Sequence, residues 1–244
     1  MRLRAFSKMI IYDDGFFAEL DDNRTLVITG RLSSGKTLLA VELAERYLKK
    51  GYRLASQINC VWNDDLEEIK PDEKGRYKMV AIIDEGGLYF RTQKSASSVS
   101  SFAAKIDSYI IFSGKKLPHA DLCTLTCQVW FDAQKWFLLP FKIWRYDVFN
   151  GNKTYHGFFY QTGWWLYWGI YDTLDPGDNP AIIVDWFKKA TKGFFERYGR
   201  TYEISDVESP GGEDLNESVN EFGGAVRGLQ TAAQTISKFK TGRR

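Results

Sequence analysis

The segment Leu26-Val27-Ile28-Thr29-Gly30-Arg31-Leu32-Ser33-Ser34-Gly35-Lys36-Thr37 passes from an apolar tetrad into a glycine-framed octapeptide, and from there into the helix-like run Leu38–Lys50. This is the strand, loop and helix order that a phosphate-binding loop requires. Gly30 and Gly35 permit a tight wrap with close backbone approach, so that successive N–H groups of Gly30–Thr37 and a helix N-terminus can face phosphate oxygens. In such a loop Lys36 would reach the β- and γ-phosphates, and the Thr37 hydroxyl would ligate magnesium.

A second segment supplies the complementary chemistry. Lys78–Ile83 is a continuous apolar run, the form of a central parallel strand covered on both faces, and it ends in Asp84-Glu85. Asp84 can hold magnesium through water, and Glu85 is placed to polarise a water molecule for attack on the γ-phosphate. Water is then the acceptor. A base-reading Asn-Lys-x-Asp is missing, because Asn152-Lys153-Thr154-Tyr155 lacks the aspartate. Alternation of strand-like and helix-like runs argues for an α/β fold with a three-layer core, and the Asp84-Glu85 pair makes the additional-strand, catalytic-glutamate type the expectation for it.

Further elements follow from periodicity. Met9–Tyr12 and Phe16–Leu20 flank Asp13-Asp14-Gly15 and read as a small hairpin. Leu38, Leu39, Val41 and Leu43 give the first helix a broad apolar face, and Gly51 ends it. Arg53–Asn59 should be a strand, Asn63–Lys78 a turn-rich stretch, Phe102–Ile106 the apolar end of a helix and Ser108–Ser113 another core strand. Leu122–Phe131, Phe137–Phe149 and Thr154–Gln161 alternate as strands, the last two joined by a turn at Phe149-Asn150-Gly151-Asn152. Trp186–Tyr198 reads as an amphipathic helix. Together these define an ATPase domain over residues 1–204, with an antiparallel β extension at about 130–180. A Ser-Pro-Gly-Gly-containing linker at 205–214 leads to a tail at 215–244 with a 3-4 apolar spacing and a basic end.

Composition bounds the function. The 244 residues carry 33 basic and 31 acidic side chains, so the net charge of +2 gives no global argument for nucleic acid, and any such contact needs a local patch. Three cysteines, Cys60, Cys123 and Cys127, read as reduced thiols of a cytosolic protein, and His119 and His156 have no metal-ligand spacing. No secretory leader is legible at Met1, and the most apolar window, Gly163–Tyr171, is too short to cross a membrane. Aromatic residues make up 16% of the chain and concentrate between Trp130 and Trp186. Such density suits a sheet core or a subunit interface, with base stacking as the alternative.

Gly30–Thr37, Lys49–Asn59 and Val80–Gly87 together resemble the ATPase domain of the zonular occludens toxin and filamentous-phage assembly family. They are also similar to the genome-packaging ATPases of membrane-containing icosahedral viruses, within the FtsK/HerA class of translocases. The resemblance covers roughly residues 24–115. It implies ATP and Mg2+ as ligands, nucleotide binding at Gly30–Thr37, metal binding by Thr37 and Asp84, and Glu85 as catalytic base. It further implies a homo-oligomeric ring acting on double-stranded DNA in the host cytoplasm, possible contact of 215–244 with a capsid or membrane-associated virion protein, and an arginine finger. Arg91 and Arg145 are the finger candidates. Family members carry a polar sensor, often glutamine, after the strand that follows the acidic pair; here Ser113 stands in that place. The assembly proteins carry a transmembrane helix that is not visible in this sequence, which favours a packaging-type motor over extrusion.

Overall fold

A computed structural model describes residues 14–58, 60–84, 103–115, 123, 125–136, 140–151, 153–162 and 180–199. All belong to the unit Met1–Glu208; the other unit, Ser209–Arg244, lies outside the described residues, as do the expected linker, the tail and the Gly163–Tyr171 window.

The elements are α1 (Asp14–Asn23), β1 (Thr25–Thr29), α2 (Lys36–Leu48), β2 (Arg53–Ser56), β3 (Met79–Asp84), β4 (Tyr109–Gly114), β5 (Leu125–Trp136), β6 (Pro140–Asn150), β7 (Lys153–Thr162) and α3 (Pro180–Arg197). The strands form one seven-stranded sheet in the order β2-β3-β4-β1-β5-β6-β7. All neighbours from β2 to β5 pair in parallel, and the β5–β6 and β6–β7 pairs are antiparallel.

Two apolar clusters cover the two faces of this sheet, and strand parity assigns residues to them. Leu26, Ile28, Val80, Ile82 and Ile111 face α1 and α2, whereas Val27, Ala81, Ile83, Ile110 and Phe112 face α3. Every one of these side chains is at most 2% exposed. Burying such a residue contributes about 2 kcal/mol, so the double coverage explains why β1, β3 and β4 read as unbroken apolar runs.

The expected hairpin around Asp13-Asp14-Gly15 is corrected by the structure: Asp14–Asn23 is a helix, and Met9–Tyr12 lies outside the described residues. Phe16 and Leu20 lie four residues apart, both are buried, and together they place one helical face on the core. The strand expected over Arg53–Asn59 stops at Ser56, because Asn63 Nδ2 donates to the Ser56 and Ile58 carbonyls and folds the chain away. The helix expected from Trp186 begins earlier, at Pro180, a residue suited to a first helical turn. The three strands expected after Leu122 form as β5, β6 and β7; the β5–β6 and β6–β7 pairs are antiparallel, and β5 joins the extension to the core sheet by parallel pairing with β1.

Opposite Gly157, across the β6–β7 pair, lies Tyr146, which is 1% exposed. A Cβ at Gly157 would fall on the phenol ring itself, closer than any real contact allows. Gly157→Ala should therefore lower stability by about 1–3 kcal/mol, read as a lower denaturant midpoint, and the loss should shrink in a Tyr146→Leu background.

A polar cluster closes the N-terminal edge of the sheet. The Tyr47 and Tyr109 hydroxyls donate to Asp21 Oδ1 at 3.0 and 2.7 Å, and their rings stack with centroids 3.9 Å apart. Beside them Arg24 pairs with Asp107 at 3.0 Å and lies over the Tyr109 ring. Partial burial pushes the Asp21 carboxyl upward, but the hydrogen bonds from Tyr109 and Tyr47, with the charges of Lys50 and Arg24, outweigh it and hold the group below its ordinary value. Burial and Asp21 push both tyrosines upward. The depressed carboxyl contributes stability that is complete above its unfolded value of about 4 and is lost as pH falls through the folded value. The raised phenols contribute stability that is complete below about pH 10 and lost as pH rises above it. Thermal midpoints across pH should therefore fall at both ends, and Asp21→Asn should flatten the acid limb.

Candidate nucleotide site

The octapeptide wraps between the end of β1 and the start of α2. Ser33 takes a left-handed backbone conformation at φ 58°, and Gly35 caps α2 at φ 92° with no side-chain hydrogen bond to the helix end. The first N–H groups of an α-helix have no partner within it, so the start of α2 presents donors and the positive end of its dipole. Lys36 folds back over the loop, its Nζ donating to the Gly30 and Arg31 carbonyls at 3.3 and 3.1 Å. Ser34 is 4% exposed, and its Oγ has no hydrogen-bond partner among the described residues. A buried hydroxyl left unpaired costs about 1–3 kcal/mol, so it fits a site whose ligand brings acceptors. Leu32, at the loop's crest, is 72% exposed.

The acidic side of the site sits across one strand. β4 lies between β1 and β3, with Thr29 opposite Gly114 and Ser113 opposite Asp84. Adjacent strands are about 4.8 Å apart, so Asp84 stands roughly 10 Å from the loop's first residue at the same edge of the sheet. Ser113, 1% exposed, donates its hydroxyl to Asp84 Oδ1. That bond orients one carboxylate oxygen and leaves the other for a ligand.

The structure thus brings Lys36, Thr37, Asp84 and Ser113 to one edge. Glu85, Gly86, Gly87 and Arg91 lie outside the described residues. Arg145 lies on β6, where its Nε pairs with Asp132 Oδ2 at 3.2 Å with the side chain 59% exposed. Among the described residues no group of three or more His, Cys, Asp or Glu is arranged to hold a metal. A magnesium ion at this edge would find oxygen ligands in the Thr37 hydroxyl, in Asp84 through water and in nucleotide phosphates, a hard set that suits it. Burial pushes the thiols of Cys60, Cys123 and Cys127 upward, so none is a ready thiolate.

Sequence reasoning missed a second wall. Beyond Thr29, β5 runs on past the loop, and a Cβ at Gly30 would strike the Val129 carbonyl and meet Ser34 Oγ at 2.6 Å. A Cβ at Gly35 would meet the Trp144 indole nitrogen at 2.6 Å. Both glycines of the motif are thus packed against the β5–β6 ribbon. The only local signal was shared strand parity, which puts Val129 and Trp144 on the α2 face; their neighbourhood with the loop is a long-range contact.

A protein-family model described as nSTAND3, Novel STAND NTPase 3, matches residues 14–120. No curated protein matches the chain. The matched span runs from α1 through β4 and holds the loop, Asp84 and Ser113. The similarity supports a P-loop NTPase-like family, with nucleotide and divalent-metal use and a nucleotide hydrolase activity, and it names neither the FtsK/HerA class nor the zonular occludens toxin family. Among the described residues no helix is long and apolar enough to cross a membrane.

Ser113→Ala removes the hydroxyl that orients Asp84. The Mg2+ concentration giving half-maximal nucleotide hydrolysis should rise about 10- to 100-fold, with metal-free nucleotide binding unchanged in equilibrium titration.

Proposed function

We propose that the chain is a magnesium-dependent ATP hydrolase of the additional-strand, catalytic-glutamate type. The observation that carries the reading is β4 standing between the loop strand and the acidic strand, with its terminal Ser113 hydrogen-bonded to Asp84. In this reading Lys36 leaves the loop carbonyls for the β- and γ-phosphates, and the backbone donors of Gly30–Thr37 spread the phosphate charge. Magnesium, when bound, neutralises charge that develops on the β- and γ-phosphate oxygens. Glu85, next along the chain from Asp84, takes the proton of the attacking water. Ser113 holds Asp84 in place and serves as the polar sensor.

The finer assignment is a homo-oligomeric ring that moves double-stranded DNA during virus or phage genome packaging in the host cytoplasm. What supports it is the resemblance of Gly30–Thr37, Lys49–Asn59 and Val80–Gly87 to packaging and assembly ATPases. In such a ring an arginine of a neighbouring subunit, Arg91 or Arg145, completes the site, and residues 215–244 engage a capsid or membrane-associated virion protein.

Turnover measured with and without double-stranded DNA separates the possibilities. Lys36→Ala should abolish hydrolysis, Glu85→Gln should cut it by at least about 100-fold while retaining ATP binding, and DNA should stimulate the wild type. Stimulation by lipid or protein alone would favour virion extrusion. Tight binding with no wild-type turnover would favour a nucleotide-switched scaffold, and intact turnover in Glu85→Gln would remove that residue as the base.

A further inference from the structure

We propose that Phe131, backed by Trp144 and Phe159, is the stacking surface for the nucleobase of the bound nucleoside triphosphate. The inference rests on the hydrolase reading and extends it to the half of the ligand that the phosphate loop does not touch.

Direction comes first. Seen from β1, Asp84 and its hydrogen-bond partner Ser113 lie on the β4 side, so the reacting end of a triphosphate seated on Gly30–Thr37 points that way. The nucleoside end then extends to the opposite side, over β5. β5 is built to meet it: the Val129 carbonyl abuts Gly30, and the strand, still paired with β6, continues beyond the end of its pairing with β1 to Trp136. Phe131 lies two residues past Val129, about 7 Å further along the strand.

A row of three rings crosses the ribbon here. Phe131 is opposite Trp144 on β6, and Trp144 is opposite Phe159 on β7. Trp144 and Phe159 stack with centroids 5.1 Å apart and planes 9° apart, and Phe131 meets Trp144 edge-on at 6.0 Å. The inner two rings are 5% and 1% exposed, and Trp144 also packs on Gly35. Phe131 alone is open, at 46%. Immediately after it the β5–β6 register shifts between Phe131 and Ala133, leaving Asp132 unopposed. Such a bulge bends and twists a strand and re-aims the side chains beside it. The result is a rigid aromatic shelf with one uncovered ring next to the phosphate loop, on its non-reacting side. Every nucleobase has a π-face, so a stacking shelf of this kind takes purines broadly instead of reading one base edge.

The test is equilibrium binding of ATP and of inorganic tripolyphosphate to the full chain in Mg2+, for wild type, Phe131→Ala, Phe131→Trp and Lys36→Ala. Phe131→Ala should weaken ATP about 5- to 100-fold and leave tripolyphosphate within about twofold. Phe131→Trp should restore ATP, which a merely structural loss would not do. Equal weakening of both ligands, or unchanged ATP affinity in Phe131→Ala, would overturn the stacking role while leaving the phosphate site intact. A wild type that binds neither ligand, or Lys36→Ala binding both as well as wild type, would overturn the hydrolase reading and this inference together.

Discussion

Everything at the site depends on the hydrogen-bond register that ties β4 between β1 and β3. Parallel pairing sets Ser113 beside Asp84 and Gly114 beside Thr29, so the loop and the acid emerge at one height although 48 residues separate Lys36 from Asp84. A slip of one residue would invert the parity of β4, driving Ser113 off Asp84 and exchanging Ile110 and Phe112 with Tyr109 and Ile111 between the two faces. Both faces are covered by helices, so neither can take the wrong set of side chains without repacking. The core holds the register, and the register holds the chemistry.

The opposite edge is secured differently. At the N-terminal ends of β1 and β4 the chain uses Asp21, Arg24, Tyr47, Tyr52, Tyr109 and Asp107, each joined to another by a hydrogen bond. Similar chemistry ties the tip of the β6–β7 hairpin to α1: Glu19 accepts from the Tyr155 hydroxyl at 2.6 Å, from Lys153 at 3.0 Å and from the Asn150 amide. The donors Tyr155 and Lys153 hold the Glu19 carboxyl below its ordinary range. These contacts anchor one end of the ribbon near α1, while its other end passes the phosphate loop. A strand that is parallel to β1 on one side and antiparallel to β6 on the other lets one sheet serve both ends.

Legibility in the sequence followed locality. β1, β3 and β4 were readable because strands buried on both faces are apolar without interruption, and the loop was readable because its glycines, lysine and threonine have fixed spacing. Ser113 was singled out through the family resemblance, as the residue in the place of the polar sensor. α1 was misread because Asp13-Asp14-Gly15 has turn composition, which hid the four-residue spacing of Phe16 and Leu20. β2 was overextended because what ends it is the side chain of Asn63, seven residues beyond Ser56. The strands of the ribbon were readable one by one, but their attachment to β1 was not. No local pattern encodes which edge of a sheet a strand will join, and the contacts of Val129 with Gly30 and of Trp144 with Gly35 span 99 and 109 residues.

Those long-range contacts change what the motif's glycines are for. A phosphate loop needs Gly35 for its left-handed backbone, and φ 92° meets that need. Here the same position also has no room for a side chain, because the Trp144 indole occupies the space a Cβ would take. The indole is itself wedged against Phe159, and its neighbour across β5 is Phe131. A change in the loop on binding phosphate therefore cannot stay local: the close contact at Gly35 must either be kept, which fixes where the loop can move, or be relieved by moving Trp144 and the ring beside it. In both cases a movement of the loop involves the ribbon, so Trp144, one of the aromatic residues that composition assigned to a sheet core or a subunit interface, also walls the candidate site.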